Sequence, residues 1–262
     1  VDQGMMGRHV VLFPFTSSGP ERKEHLSDDM SFIGSEYDGG YAEYVAWPAD
    51  LCFDMPLDDF VESAVFSVSG LTAWHMNEQL HIRSGETIVV TGASGGVGSL
   101  NVQIAANVFG AKVFAIVGDL KNEKELKAFG ATEVFSYRSE TLAEDIIAAN
   151  GGPVDAVLDV VGDALFDVSL QVLKKGGKFC ISGSAGGQTP HLDFRTLYLK
   201  HIAMYRSVLG TRHEFAEMLR SIAEGKLKPV IDRTFPLEEA REAQTYFKQS
   251  GKFGKIVLIP NI

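Results

Sequence analysis

Cysteine is scarce in this 262-residue chain: Cys52 and Cys180 are the two thiols, with no Cys-x-x-Cys anywhere. That excludes a disulfide framework and argues against a structural zinc lobe, leaving each as a lone buried thiol. No Asn-x-Ser/Thr site occurs. No apolar run is long enough to span a bilayer, and Val1-Asp2-Gln3-Gly4 lacks the basic-then-apolar layout of a signal peptide, so a cytoplasmic location is expected. Positive charge is in deficit, with 24 Lys and Arg against 34 Asp and Glu and a net charge of −10. Such a surface repels phosphate backbones and anionic lipid, so neither nucleic acid nor membrane is an expected partner. The seven histidines form no His-Glu-x-x-His or similar spacing, so no metal site is expected.

What is present is ordinary for a folded protein, 45% hydrophobic and 22% charged residues, with length for one large or two ordinary domains. An apolar run at residues 10–15 is followed by a polar stretch, 16–29, that has almost nothing to bury and reads as a long, mobile loop. Asp38-Gly39-Gly40 then leads into Tyr41-Ala42-Glu43-Tyr44-Val45, an alternating aromatic run of strand type. From Thr87 the texture changes. β-rich runs at 88–91, 113–117, 134–136, 156–160 and 179–182 alternate with stretches of helical spacing at 97–108, 123–129 and 165–173. Strand alternating with helix predicts a doubly wound parallel sheet, and continuous apolar strands fit one covered on both faces. Ile202 to Leu209 reads as a sixth strand at its edge; helices at 214–223 and 237–247 and a strand at 256–259 close the chain.

Thr87-Ile88-Val89-Val90-Thr91-Gly92-Ala93-Ser94-Gly95-Gly96-Val97-Gly98 is a strand, a glycine-rich turn and a helix start. Glycines there allow a tight turn and let backbone reach a pyrophosphate, which the free N–H groups and positive potential of the helix start attract. Ala93 stands at the first position of Gly-x-Gly-x-x-Gly, so the context carries this reading more than the motif. A glycine-rich turn without ligand is the alternative. Thr91-Gly92-x-x-x-Gly96-x-Gly98 also fits the short-chain dehydrogenase pattern. No tyrosine has a lysine four residues on, and a long segment precedes the strand, so that pattern is rejected.

Asp38-Gly39-Gly40-Tyr41-Ala42-Glu43-Tyr44-Val45, Gly70-Leu71-Thr72-Ala73-Trp74, the 93–98 loop, Leu173-Lys174-Lys175-Gly176-Gly177 and Gly254-Lys255-Ile256-Val257-Leu258 occur in an order that resembles the medium-chain dehydrogenases/reductases. The resemblance covers nearly the whole chain. It implies an α/β fold: a doubly wound, parallel-sheet Rossmann domain (70–208) plus the remainder of a GroES-like β-rich catalytic domain (1–69), to which a C-terminal segment (209–262) returns. Gly7-Arg8-His9-Val10-Val11 resembles the family's Gly-Asp-Arg-Val strand, which places the first part of the catalytic domain outside this sequence. Where zinc-dependent members carry a four-cysteine lobe, residues 17–31 have no cysteine, and Val68 stands at the position of a catalytic cysteine. The chain is therefore similar to the zinc-independent, quinone oxidoreductase-like branch.

The resemblance assigns the pyrophosphate to Ser94, Gly95, Gly96, Val97 and Gly98, with Lys255 as a basic residue on the same phosphates or a surface lysine. An NAD-type acid at the end of the second strand falls on Val117. Gly118 leaves room for a 2′-phosphate, and Lys121, Asn122, Lys124, Tyr137 and Arg138 lie in the surrounding segments, so NADP(H) is expected; Asp119 keeps NAD(H) open. Thr72, Val161, Ser182, Gly183 and Ser184 are assigned to the nicotinamide side, with a capping or turn role as the alternative for each. No catalytic acid is named. Function is then expected to be NADP(H)-dependent hydride transfer to a quinone, enone or similar small electrophile without zinc. The alternatives are a zinc-type alcohol dehydrogenase-like enzyme and a non-catalytic NADP(H)-binding sensor or interaction protein. A homodimer through the edge strand is expected, because an unpaired edge invites its two-fold mate.

Overall fold

A computed structural model describes residues 3–261. The chain divides into two compact units, one of residues 72–208 and one of residues 1–71 with 209–262.

The first unit is built on six parallel strands, of which the first, second and fourth are buried on both faces: Thr87–Val90, Lys112–Val117, Ala131–Ser136, Val154–Asp159, Leu173–Ile181 and Ala203–Arg206. Numbered one to six along the chain, they lie side by side as 3-2-1-4-5-6. The order reverses between strands one and four, and that reversal opens a crevice at their carboxyl ends, where sheets of this kind bind ligands. Val89, Phe114, Ile116, Val157 and Phe179 from the strands pack with Ile146, Phe166 and Leu170 from helices Leu142–Asn150 and Asp163–Val172 into one core cluster. Helix Gly96–Gln103 continues as one π-helical stretch, Ile104–Val108, within the helical run expected at 97–108. The fifth strand starts six residues before the run at 179–182, since Val154 already pairs with Leu173.

The second unit carries short strands: Val10–Leu12 antiparallel to Cys52–Asp54, Phe15–Thr16 antiparallel to Ser31–Phe32, and Ile231–Pro236 parallel to Lys255–Ile259. Their centre is aromatic. Phe215, on helix Arg212–Ala223, meets Phe13 and Phe53 edge-on at ring-centre distances of 5.5 and 5.1 Å. Thr211 and Glu214 close a capping box that starts that helix.

Two expectations are corrected here. The alternating run Tyr41–Val45 forms no strand: it has no ladder partner among the described residues, and Tyr41 and Tyr44 are 64% and 83% exposed. Alternation makes a strand only when a neighbouring backbone takes up the N–H and C=O groups, and none does here. The polar loop after Thr16 does bury something. Glu24 is only 4% exposed, within the short turn Glu24–Leu26, and Asp29 accepts from the Ser18 N–H and the Ser27 hydroxyl. Among the described residues no helix is long and apolar enough to cross a membrane.

Candidate functional site

Strand Thr87–Val90 is buried between the second and fourth strands, and the chain leaves it at Thr91 into the glycine turn. Gly92 turns with φ +58°, a conformation side chains rarely adopt, and a Cβ there would sit 2.9 Å from the Val160 side chain. Gly95 N-caps helix Gly96–Gln103 without any side-chain acceptor. The N–H groups of Gly96, Val97 and Gly98 therefore leave the helix start with no acceptor inside the helix. Together with the helix dipole, free N–H groups of this kind attract an anion. At Gly98 the requirement is packing: a Cβ would lie 2.1 Å from the Gly92 carbonyl oxygen. Residues 94–98 thus run from the glycine turn into the helix start, the stretch that the sequence assigns to a pyrophosphate.

At the end of the second strand, Val117 is buried and Gly118 lies against Tyr137, whose ring carbon would stand 2.8 Å from a Cβ on the glycine. The Tyr137 N–H donates to the Val117 carbonyl at 2.9 Å, and the Arg138 guanidinium lies 5.9 Å from the Tyr137 ring centre. Asp119 is turned to a local task, accepting from the Lys121 N–H at 3.0 Å and starting the turn Leu120–Asn122. The structure thus brings Gly118, Lys121, Asn122 and Tyr137 to one corner of the sheet.

Beyond the fourth and fifth strands, residues 160–162 and 182–187 interlock. The Gly186 N–H donates to the Val161 carbonyl at 2.7 Å, the Asp163 N–H to the Gly187 carbonyl at 3.1 Å, and the Ser182 N–H to the Asp159 carbonyl at 2.9 Å. Val161, Ser182, Gly183 and Ser184 therefore stand together at the strand ends, beside Gly92. Thr72, 7% exposed, opens this unit within helix Ser67–Gln79. Lys255 belongs to the other unit, on the last strand, where burial holds its ammonium below the usual lysine range.

Two residues of the site were passed over in the sequence. Thr91 and Asp159, both fully buried, join the ends of strands one and four: the Thr91 hydroxyl donates to Asp159 Oδ1. Asp159 also accepts from the Val161 N–H at 3.2 Å and the Gly162 N–H at 2.9 Å. Burial raises its carboxyl above the ordinary range, and the hydrogen bonds from Thr91, Gly162 and Val161 oppose that rise. The signal available beforehand was an acid as the last residue of an apolar strand.

Val68 has no lone pair to offer, and among the described residues no group of three His, Cys, Asp or Glu side chains could hold a metal ion.

With this geometry in place, comparison with known proteins is informative. Residues 129–258 match the family model of the zinc-binding dehydrogenases. The NAD-dependent alcohol dehydrogenase of Saccharolobus solfataricus is 32% identical over 243 residues, 91% of this chain and 69% of that protein. The human quinone oxidoreductase is 30% identical over 241 residues, 88% of this chain and 72% of that protein. A crystal structure of an NAD-dependent alcohol dehydrogenase superposes with a TM-score of 0.91 at 31% identity, covering 96% of this chain and 76% of that one.

Proposed function

This chain belongs to the medium-chain dehydrogenase/reductase family of oxidoreductases, and we propose that it is an NADP(H)-dependent, zinc-independent reductase of a quinone, enone or similar small electrophile. One observation carries the cofactor choice: the second strand ends in Val117 and Gly118, and the nearby carboxylate, Asp119, is engaged by the Lys121 N–H. No acid stands at the end of the strand itself, and the corner of Gly118, Lys121, Asn122 and Tyr137 offers a 2′-phosphate room and a cation, with Asp119 as the competing ribose acid.

In this reading Ser94, Gly95, Gly96, Val97 and Gly98 hold the pyrophosphate through backbone, while Thr72, Val161, Ser182, Gly183 and Ser184 flank the nicotinamide. The bound nicotinamide would supply hydride; the protein's work is to orient it and keep water away. Val68, which has no lone pair at the position of the family's catalytic cysteine, is the residue that favours chemistry without zinc. Without a metal to polarise an alcohol or carbonyl, electrophiles whose negative charge spreads over an enolate or quinol oxygen suit the site best. No side chain is assigned as acid, and the proton is taken from solvent.

The test is paired titration of NADPH and NADH by fluorescence, followed by NADPH oxidation with quinone and enone panels and metal analysis of the same preparation. Tighter NADPH binding, turnover and no stoichiometric zinc are expected. Equal or tighter NADH binding makes Asp119 the ribose acid, one zinc per chain revives the alcohol dehydrogenase reading, and binding without turnover makes the protein a sensor.

A further inference from the structure

The polar pair at the switch point has a role that the assignments above leave unexplained. Strands one and four are neighbours in the sheet, and their ladder ends with the Thr91 N–H donating to the Leu158 carbonyl at 3.0 Å. Past that point the two chains must separate, one into the glycine turn at 92–95 and the other into the turn at 160–162. Parallel strands that part at their carboxyl ends leave amides with no ladder acceptor.

Here those amides are collected by two side chains. The Val160 N–H donates to the Thr91 hydroxyl oxygen at 3.1 Å, the Val161 N–H to Asp159 Oδ1 at 3.2 Å and the Gly162 N–H to Asp159 Oδ2 at 2.9 Å. The Thr91 hydroxyl hydrogen completes the set on Asp159 Oδ1. One amide of the 160–162 turn is thus tied directly to Thr91, the last residue before the other turn, and the next two are tied to Asp159, which the Thr91 hydroxyl holds in turn. The turn they fix is the wall against which the glycine turn packs, since a Cβ on Gly92 would meet Val160 at 2.9 Å and Val161 at 3.2 Å. Gly162 has equally little freedom, with a hypothetical Cβ 2.5 Å from the Gly187 carbonyl oxygen.

We propose that Thr91 and Asp159 are a positioning pair: a buried cross-brace that sets the spacing between the pyrophosphate turn and the turn beside the nicotinamide, and so sets cofactor affinity before any ligand arrives. This rests on the dinucleotide reading of the site. Neither side chain is a catalytic residue, and each acts through backbone. The brace resists motion because a buried carboxylate that loses a donor has no water to replace it. A turn fixed in advance spares the cofactor the cost of ordering it.

Thr91→Val keeps the shape and removes the hydroxyl; Thr91→Ser keeps the hydroxyl. The expected result is that Thr91→Val raises the Kd for NADPH about tenfold or more, equivalent to about 1.4 kcal/mol, while Thr91→Ser restores it to near the wild-type value. The control is Ser169→Ala, which removes a buried hydrogen bond to the Leu165 carbonyl inside helix Asp163–Val172, away from both turns. It lowers the melting temperature with no change in Kd. If Thr91→Val binds NADPH like the wild type, or if Ser169→Ala weakens binding as much, the pair is structural only and the proposal falls. Hydrogen exchange on the wild-type protein needs neither variant nor cofactor. Slow exchange of the Val160, Val161 and Gly162 amides in the ligand-free state is expected, and fast exchange there would overturn the brace. A wild type that holds the three amides but binds neither dinucleotide would instead remove the cofactor reading and leave the brace without its role.

Discussion

Replacing Gly98 by alanine should unfold part of the cofactor cradle, and the size of the effect follows from three distances. A Cβ at this position would stand 2.1 Å from the Gly92 oxygen, 2.7 Å from its carbonyl carbon and 2.9 Å from the Ala93 Cα. Comfortable carbon–carbon contacts lie at about 3.5–4.0 Å, so the helix start has to retreat by about 1 Å. All three obstacles are backbone, and the Ala93 N–H is tied to the Ile116 carbonyl at 3.0 Å, so no side chain can swing away to absorb the strain. Overpacking of this kind costs about 1–3 kcal/mol, and the better helix propensity of alanine returns about 1 kcal/mol at most. A net loss of about 1–2 kcal/mol would lower the melting temperature by about 2–8 °C. Gly95→Ala is the contrasting case: φ −81° and ψ 171° suit any L residue, and its Cβ would meet the protein only at the Gly92 oxygen, 3.3 Å away. It should melt within a degree or two of wild type, about 0.5 kcal/mol, while binding NADPH more weakly. Circular dichroism melts and cofactor titration on both variants read the two effects separately. A Gly98→Ala protein as stable as wild type would refute the reasoning, because the close helix–strand approach would then not be what the glycine serves.

Three further predictions follow from other parts of the fold. Lys200 places its ammonium on the carbonyls of Leu170, Gln171 and Leu173 at 2.8, 2.9 and 3.0 Å, closing the end of helix Asp163–Val172, so Lys200→Met should cost about 1–2 kcal/mol in denaturant unfolding, and an unchanged midpoint would show the contact to be idle. Cys180 is fully buried and its thiol is pushed up to about 12 by burial, so a thiol reagent at neutral pH should label it only after unfolding; labelling within minutes in the native protein would mean that the central sheet opens. Strand Ala203–Arg206 ends the sheet with one edge unpaired among the described residues, and Phe194, Tyr198 and Met204 are 70%, 63% and 41% exposed, so we propose a two-fold dimer through this edge; sedimentation at micromolar concentration that finds only the monomer mass would refute it.

The middle of the sheet was readable because its first, second and fourth strands are buried on both faces, and such strands declare themselves as apolar runs whatever their neighbours. Ile88, Val89, Val113, Ile116 and Val157 needed only a partner on each side, which a doubly wound order guarantees. Tyr41 to Val45 shows the limit of the same method. Its alternation is as regular as that of a half-buried strand, yet the backbone finds no ladder, and the rings of Tyr41 and Tyr44 remain in solvent. Periodicity describes what a segment can cover, and pairing decides whether it becomes a strand.

The glycine turn was legible for a related reason: its chemistry is local, and residues 92 to 98 carry strand end, turn and helix start in one stretch. The Thr91–Asp159 brace is not local, because its partners are 68 residues apart in sequence. They can be paired only once strand four is known to lie beside strand one, and that order is a property of the winding. The clue lay in the composition of two strand ends. A carboxylate closing the apolar run Val154–Asp159 is costly unless amides and a hydroxyl receive it, and in a parallel sheet the groups within reach are the amides of its own turn and the last residue of the adjoining strand. Applying the 3-2-1-4-5-6 order to the apolar runs would have put Thr91 opposite Asp159 before any coordinates, and the same reasoning makes an acid or hydroxyl at the end of a buried parallel strand a marker for the turns that hold a ligand.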